Sequence, residues 1–198
     1  VQAHLDRSNF AVEMAQAFLD LVVAGTGVLL VEEAPIGEAS ALRFTAVPLR
    51  SAVLEEGPDG RLSHLYRLSR LPPAAIAERF PQAELPASLR QAIETADATP
   101  LPLLEALWPE GGRIAYAALL QGEGTEPLLL HGGHFVESPC IAFRWLKVPG
   151  ETYGRGPVMK ALPDIRTANK VVELVLKNAS IAATGIWQAE DDGVLNPA

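Results

Sequence analysis

A single cysteine, Cys140, is all the sequence contains, so no internal disulfide can form and no thiolate metal cluster can be assembled. Aromatic residues are scarce at 6%, which leaves the core to leucine, valine and alanine. Long apolar runs are also missing. A membrane-spanning helix needs roughly 20 consecutive apolar residues, and the longest candidate, Leu21 to Val31, is interrupted by Gly25 and Gly27. No membrane partner is expected. Positive charge is in deficit: 16 Lys plus Arg stand against 24 Asp plus Glu, a formal net charge of −8. Tight nucleic-acid binding depends on basic side chains that displace counterions from phosphates. This balance opposes a dedicated DNA-binding surface but not transient, non-adhesive contact with DNA. The chain begins with Val1, carries no signal-peptide pattern, and ends at Asn196-Pro197-Ala198, so both ends read as those of an excerpt from a longer polypeptide.

What is present is enough for a globular fold. The 198 residues are 48% hydrophobic and 20% charged, sufficient for one large domain or two small ones with a proper core. Phe10, Met14, Phe18, Leu21 and Val22 fall on one helical stripe, with Ser8 as N-cap and Gly25 as stop. Val28 to Val31 then reads as a strand. A phosphate-binding glycine loop is disfavoured at Gly25-Thr26-Gly27, because such loops run from strand to helix and carry a lysine. Leu42 to Val47 is a further strand, and Ala52–Glu55 with Leu62–Leu68 flank a turn-rich loop ending Asp59-Gly60, the pattern of a β-hairpin. Pro72-Pro73 opens a short helix to about Phe80, Ala87 to Glu94 forms another, and Leu103 to Trp108 reads as a short helix or its remnant. Strands resume at Arg113–Leu120, Pro127–His131 and Cys140–Lys147, with turns at Gly122-Glu123-Gly124 and Gly132-Gly133.

Toward the end the period becomes helical. Ile165, Ala168, Val172, Val175, Ala179 and Ala182 recur every three or four residues, with Arg166, Lys170, Glu173 and Lys177 opposite. A long amphipathic helix is expected from about Pro163 to Ala183, with Pro157 to Leu162 as a separate turn of helix, because an interior proline breaks the hydrogen-bond ladder. Thr184-Gly185 stops it, and Ile186-Trp187-Gln188 is expected to be extended. The expected fold class is therefore α+β: an N-terminal helix, a mainly antiparallel β middle region and a long C-terminal helix.

Catalytic constellations are weak. His131 and His134 flank two glycines with Glu137 following, but in a solvated turn they lack a rigid scaffold and a third ligand at regular spacing. Cys140 with His134 could form a thiol–imidazole pair, yet no oxyanion site accompanies it. Glu55 and Glu56 are neighbours on a strand end, so they point apart into solvent. No catalytic residue, metal or cofactor is expected.

The specific stretch lies further on: Arg144-Trp145, then Pro149-Gly150-Glu151-Thr152-Tyr153-Gly154-Arg155-Gly156-Pro157, then Leu162-Pro163-Asp164-Ile165 and Asn169. In order and spacing it resembles the podovirus-type head-to-tail connecting proteins, the portal subunits of short-tailed phages and related prophages. It departs from the family pattern at Ala168, where a larger apolar residue is expected, and in lacking an identifiable charged tunnel loop. The resemblance implies a structural, non-enzymatic role in a dodecameric homo-oligomeric ring at a capsid vertex. Such a ring lets double-stranded DNA pass, docks terminase and tail adaptor proteins, and resides in the virion after assembly in the host cytoplasm. Residues 1–150 would be a wing-like α+β region, 151–185 a junction and stem-like helix, and 186–198 the start of a clip-like segment. Gly150, Gly154 and Gly156 would supply turns that β-carbons hinder, and Pro157 would preorganise the helix. Asp164 would favour the helix start, Trp145 and Tyr153 would give rigid bulk, and Arg155 would pair with an acid. With Arg144, Asn169 and Ala179, these form the expected junction and subunit-contact set. The rival expectation is a generic α+β adaptor or peptide-binding module with an exposed sheet edge.

Overall fold

A computed structural model of the chain describes residues 2–121 and 127–185. It divides into two compact units, Val1–Met159 and Lys160–Ala198. The first contains every described strand. Two short helices, α1 (Gln2–Arg7) and α2 (Phe10–Ala24), precede β1 (Thr26–Glu33) and β2 (Leu42–Ala46). A 3-10 turn at Leu49–Ser51 leads into the hairpin of β3 (Ala52–Glu56) and β4 (Leu62–Leu71). Two further helices, α3 (Pro73–Arg79) and α4 (Ala87–Glu94), are followed by β5 (Leu101–Glu110), β6 (Arg113–Leu120), β7 (Leu128–Phe135) and β8 (Cys140–Arg144). The strands form a three-stranded sheet, β2-β1-β8, and a five-stranded sheet, β3-β4-β5-β6-β7, with every pairing antiparallel. The α+β class and the N-terminal helix packed on an antiparallel sheet are as the sequence indicates.

Helix α2 closes the open edge of β2 with its own side chains. Asn9 donates to the Phe44 carbonyl at 2.7 Å and accepts from the Phe44 N–H at 2.9 Å, while Glu13 accepts from the Ala46 N–H at 2.7 Å. An exposed strand edge would otherwise offer unpaired backbone groups to another chain. Asn9, not Ser8, precedes the helix, and its amide is spent on β2; Ser8 accepts from the Phe10 N–H at 3.2 Å. Gly25 ends α2 in the left-handed conformation, φ 82°, with its N–H donated to the Leu21 carbonyl.

Two apolar clusters cover one face of the five-stranded sheet. Val28, Leu30 and Val47 meet Leu54, Leu65 and Leu107, joining the two sheets. Ile76, Phe80 and Leu89 from the α3–α4 region sit on Leu103, Ala118, Leu120 and Leu130. Leu103, Glu105 and Leu107 alternate along the covered face of β5, so a carboxylate lies between the two clusters.

Three expectations need correction. Leu103 to Trp108 is the middle of β5, not a helix: its leucine and alanine favour helix locally, but β4 and β6 occupy both of its edges and Pro102 and Pro109 deny a helical ladder. Gly132-Gly133 is not a turn; it continues β7, where the two glycines pair with Ala117 and Tyr116. Finally, Pro163 does not separate two helices. A single helix, α5, runs through it from Pro157 to Thr184, 28 residues, beginning at the end of the first unit and continuing through the second. Pro163 lacks the N–H that would reach the Met159 carbonyl, so the ladder loses one bond while the rod continues. Gly185 ends α5 with φ 68° and an N–H to Ile181, as expected of the Thr184-Gly185 stop. The anticipated Gly122-Glu123-Gly124 turn and Ile186-Trp187-Gln188 segment lie outside the described residues.

Candidate assembly junction

Between β8 and α5 the chain runs in close backbone contact with the end of α2 and the start of β1. The Trp145 N–H donates to the Gly25 carbonyl at 2.9 Å, the Arg155 N–H to the Leu146 carbonyl at 2.9 Å, and the Gly154 N–H to the fully buried Thr26 hydroxyl at 2.8 Å. A β-carbon on Gly25 or Gly154 would overlap the backbone of the other, and one on Gly156 would strike the Val22 carbonyl. Gly150 is different: open space surrounds it, and only its φ of 81° requires glycine.

Side chains then fasten this segment to the hairpin. Tyr153 packs on the cluster joining the sheets and accepts from the Leu54 N–H at 3.1 Å. Arg144 donates to Glu56 at 2.8 Å and to the carbonyls of Gly60 and Thr152 at 2.8 and 3.1 Å. Lys147 reaches Glu56 at 2.6 Å and the Gly60 carbonyl at 2.9 Å. Glu56 is thus no solvated strand end; a bulge after Glu55 turns it toward both cations. Hydrogen bonds from Lys147, then Arg144, hold its carboxyl below the ordinary value of 4.5. Because the folded-state value is depressed, this clamp contributes fully above the ordinary value and is lost as pH falls through the depressed one. Melting temperature followed from neutral pH into the acid range should decline less steeply in Glu56→Gln than in the parent; identical acid limbs would show that the clamp is idle.

Other expected residues fall elsewhere. Arg155 pairs with Glu151, four residues upstream in the non-helical junction, both with exposed side chains. The Trp145 side chain is 56% exposed, its backbone alone making the anchor described. Pro157 opens α5, whereas Asp164 lies well inside the continuous helix, beyond the positive terminus once expected to hold it. Asn169 and Ala179 are exposed along α5. On that helix Glu173 bridges Lys170 at 3.0 Å and Lys177 at 2.6 Å. Gly25, Thr26 and Glu56 were not singled out as partners of the junction. The signal for Glu56 was a carboxylate beside a Gly57-Pro58-Asp59-Gly60 turn, but its cations lie about ninety residues onward.

The histidines and the cysteine do not converge. His131 and His134 lie opposite Ala118 and Ala115, three residues apart on β7, and so project from opposite faces. His134 pairs with Glu110 at 3.3 Å and His131 stacks near Phe80. Cys140 belongs to the other sheet, and burial pushes its thiol up to about 12, which suppresses the thiolate. A cluster that sequence reasoning missed sits in the sheet's covered face. Glu105 accepts from Arg79 at 2.7 Å and from the Tyr116 hydroxyl at 2.8 Å, with Arg67 at 3.5 Å from its other oxygen. Burial, and then the Glu105 charge, drive the Tyr116 hydroxyl well above its ordinary value.

A β-rich antiparallel unit whose last segment is held by backbone contacts, followed by a long helix, defines an α+β protein. The chain matches, over residues 1–198, the family described as bacteriophage head to tail connecting protein, and it belongs to that family. It is also similar to the portal protein of Escherichia phage T7, with 24% identity over 199 residues, covering 100% of this chain and 36% of that relative. The chain therefore spans about a third of the length of the curated relative it matches.

Proposed function

We propose that this chain is the part of a portal subunit in which a wing-like unit hands over to a stem-like helix that packs against neighbouring copies in a ring. The observation that carries this is the surface of α5. None of its residues is buried, and Val171, Val172, Leu174, Val175, Leu176 and Ile181 are each 49–65% exposed. At 100° per residue, with Ile165, Ala168, Ala179 and Ala182, they span an arc of about 220°. Arg166, Lys170, Glu173 and Lys177 occupy the remainder. An amphipathic helix lying on one surface needs only a stripe somewhat over 100° wide. The wider arc suits a helix flanked on both sides, as in a closed ring built from one repeated heterologous contact. The family membership and the T7 relative support extending the role to the whole protein. It would form a dodecameric ring at the capsid vertex that passes double-stranded DNA and docks terminase and tail adaptors. The net charge of −8 suits a channel to which DNA does not adhere.

The test is paired. Ala179→Trp should prevent rings of the full-length protein, seen by size exclusion and negative-stain microscopy, while leaving the melting temperature of this chain nearly unchanged. Normal rings with a collapsed melting temperature would mean the arc is internal core.

A further inference from the structure

Between the two apolar clusters, the covered face of the five-stranded sheet opens into a cleft of about 770 Å³, within the roughly 300–1,000 Å³ of natural ligand sites. One wall is a row of rings: Phe80 to His131 at 6.3 Å, His131 to Tyr116 at 5.9 Å and Tyr116 to Phe135 at 5.8 Å. Arg79 lies 5.9 Å from the Phe80 ring, so one end of the row already faces a cation; Phe135, at the other end, is exposed, as is His131 beside Phe80. The charges lining the cleft do not balance. Arg67 and Arg79 are engaged by Glu105 and Glu32, whereas Glu33 and Glu137 have no ion-pair partner among the described residues. Ring faces attract cations, and two uncompensated carboxylates at the rim favour the same sign. Such a rim repels nucleic acid. The strand supplying His131 and Phe135, β7, is also the outer strand of its sheet, and an edge offers unpaired backbone groups to an extended peptide.

We propose that this cleft docks a segment of another protein that presents one arginine or lysine between apolar residues. The cation faces the ring wall and the carboxylates of Glu33 and Glu137; an apolar neighbour rests on the exposed Phe135 ring. The proposal depends on the first unit alone and is independent of ring formation.

The probe is a blocked tripeptide with arginine between two leucines, titrated into the isotope-labelled chain and followed by amide chemical shifts. Saturable one-to-one shifts are expected at Phe80, His131 and Phe135, with the glutamate-centred peptide binding about tenfold more weakly or worse. The Glu33→Lys/Glu137→Lys variant, if it melts like the parent, should lose at least about tenfold in affinity for the arginine peptide. Absence of saturable binding, equal affinity for both peptides, or shifts confined to residues outside the cleft would each overturn the proposal. The peptide comparison in the parent chain decides the matter even if the double variant fails to fold.

Discussion

Alanine at Gly25 should lower the melting temperature of this chain by roughly 10 °C, at a cost of about 2–5 kcal/mol. Two penalties combine. The residue sits at φ 82°, where any side chain is strained, and the added carbon would meet the backbone of Gly154 and Gly156. Neither neighbour is the flexible end of a side chain, so relief requires moving the strand-to-helix segment itself. The matched control is Gly111→Ala, in the β5–β6 turn. It too has positive φ, 57°, but nothing lies near the added carbon. That variant should lose only about 1–2 kcal/mol. Thermal denaturation of both separates conformation from close approach, and equal losses would show that the glycine contact across the junction carries no weight.

Glu105→Ala should be comparably severe, about 3–5 kcal/mol in urea-denaturation midpoints converted with a common slope. Glu105 is only 6% exposed, yet two guanidiniums and a phenol converge on it. Removing the carboxylate leaves Arg67, with a side chain 16% exposed, charged and without a counterion; Arg79 keeps only Glu32, at 3.6 Å. The cost comes from what remains and not from the worth of the pair. Glu105→Leu combined with Arg67→Met should therefore recover part of the loss, since apolar replacements of similar volume often match a buried ion pair. If Glu105→Ala behaves like an ordinary surface change of a few tenths of a kcal/mol, the buried network is not structural.

Most elements were legible because their signals were local. The Gly25 stop, the hairpin read from Ala52–Glu55 and Leu62–Leu68, and the proline-led start of the next helix each follow from a handful of adjacent residues, the hairpin's second strand running on to Leu71. Errors arose where distant partners decide. The leucines and alanines around Glu105 suit either helix or strand until β4 and β6 are present on both sides. Gly132-Gly133 has the composition of a turn, but β6 supplies a ladder that holds it extended. Pro163 is a strong local breaker, yet it costs the helix only one carbonyl partner. At the junction, the glycines Gly150, Gly154 and Gly156 were visible as positions requiring glycine, but what two of them touch was not. Their partners, Gly25 and the Val22 carbonyl, lie far upstream. The rings and carboxylates of the cleft are scattered from β1 to the β7–β8 loop, and no spacing rule gathers them.

The bond from Gly154 to the Thr26 hydroxyl joins residues 128 positions apart. Contacts at such separation carry a large loop-closure cost and depend on the intervening strands being in place. During synthesis, the base of α5 therefore cannot be fixed until the whole β-rich unit has emerged and closed. A chain that stalls or misfolds before then leaves the first residues of α5 without the contacts that hold them. The glycine crossing thus ties the placement of the helix base to completion of the β-rich unit.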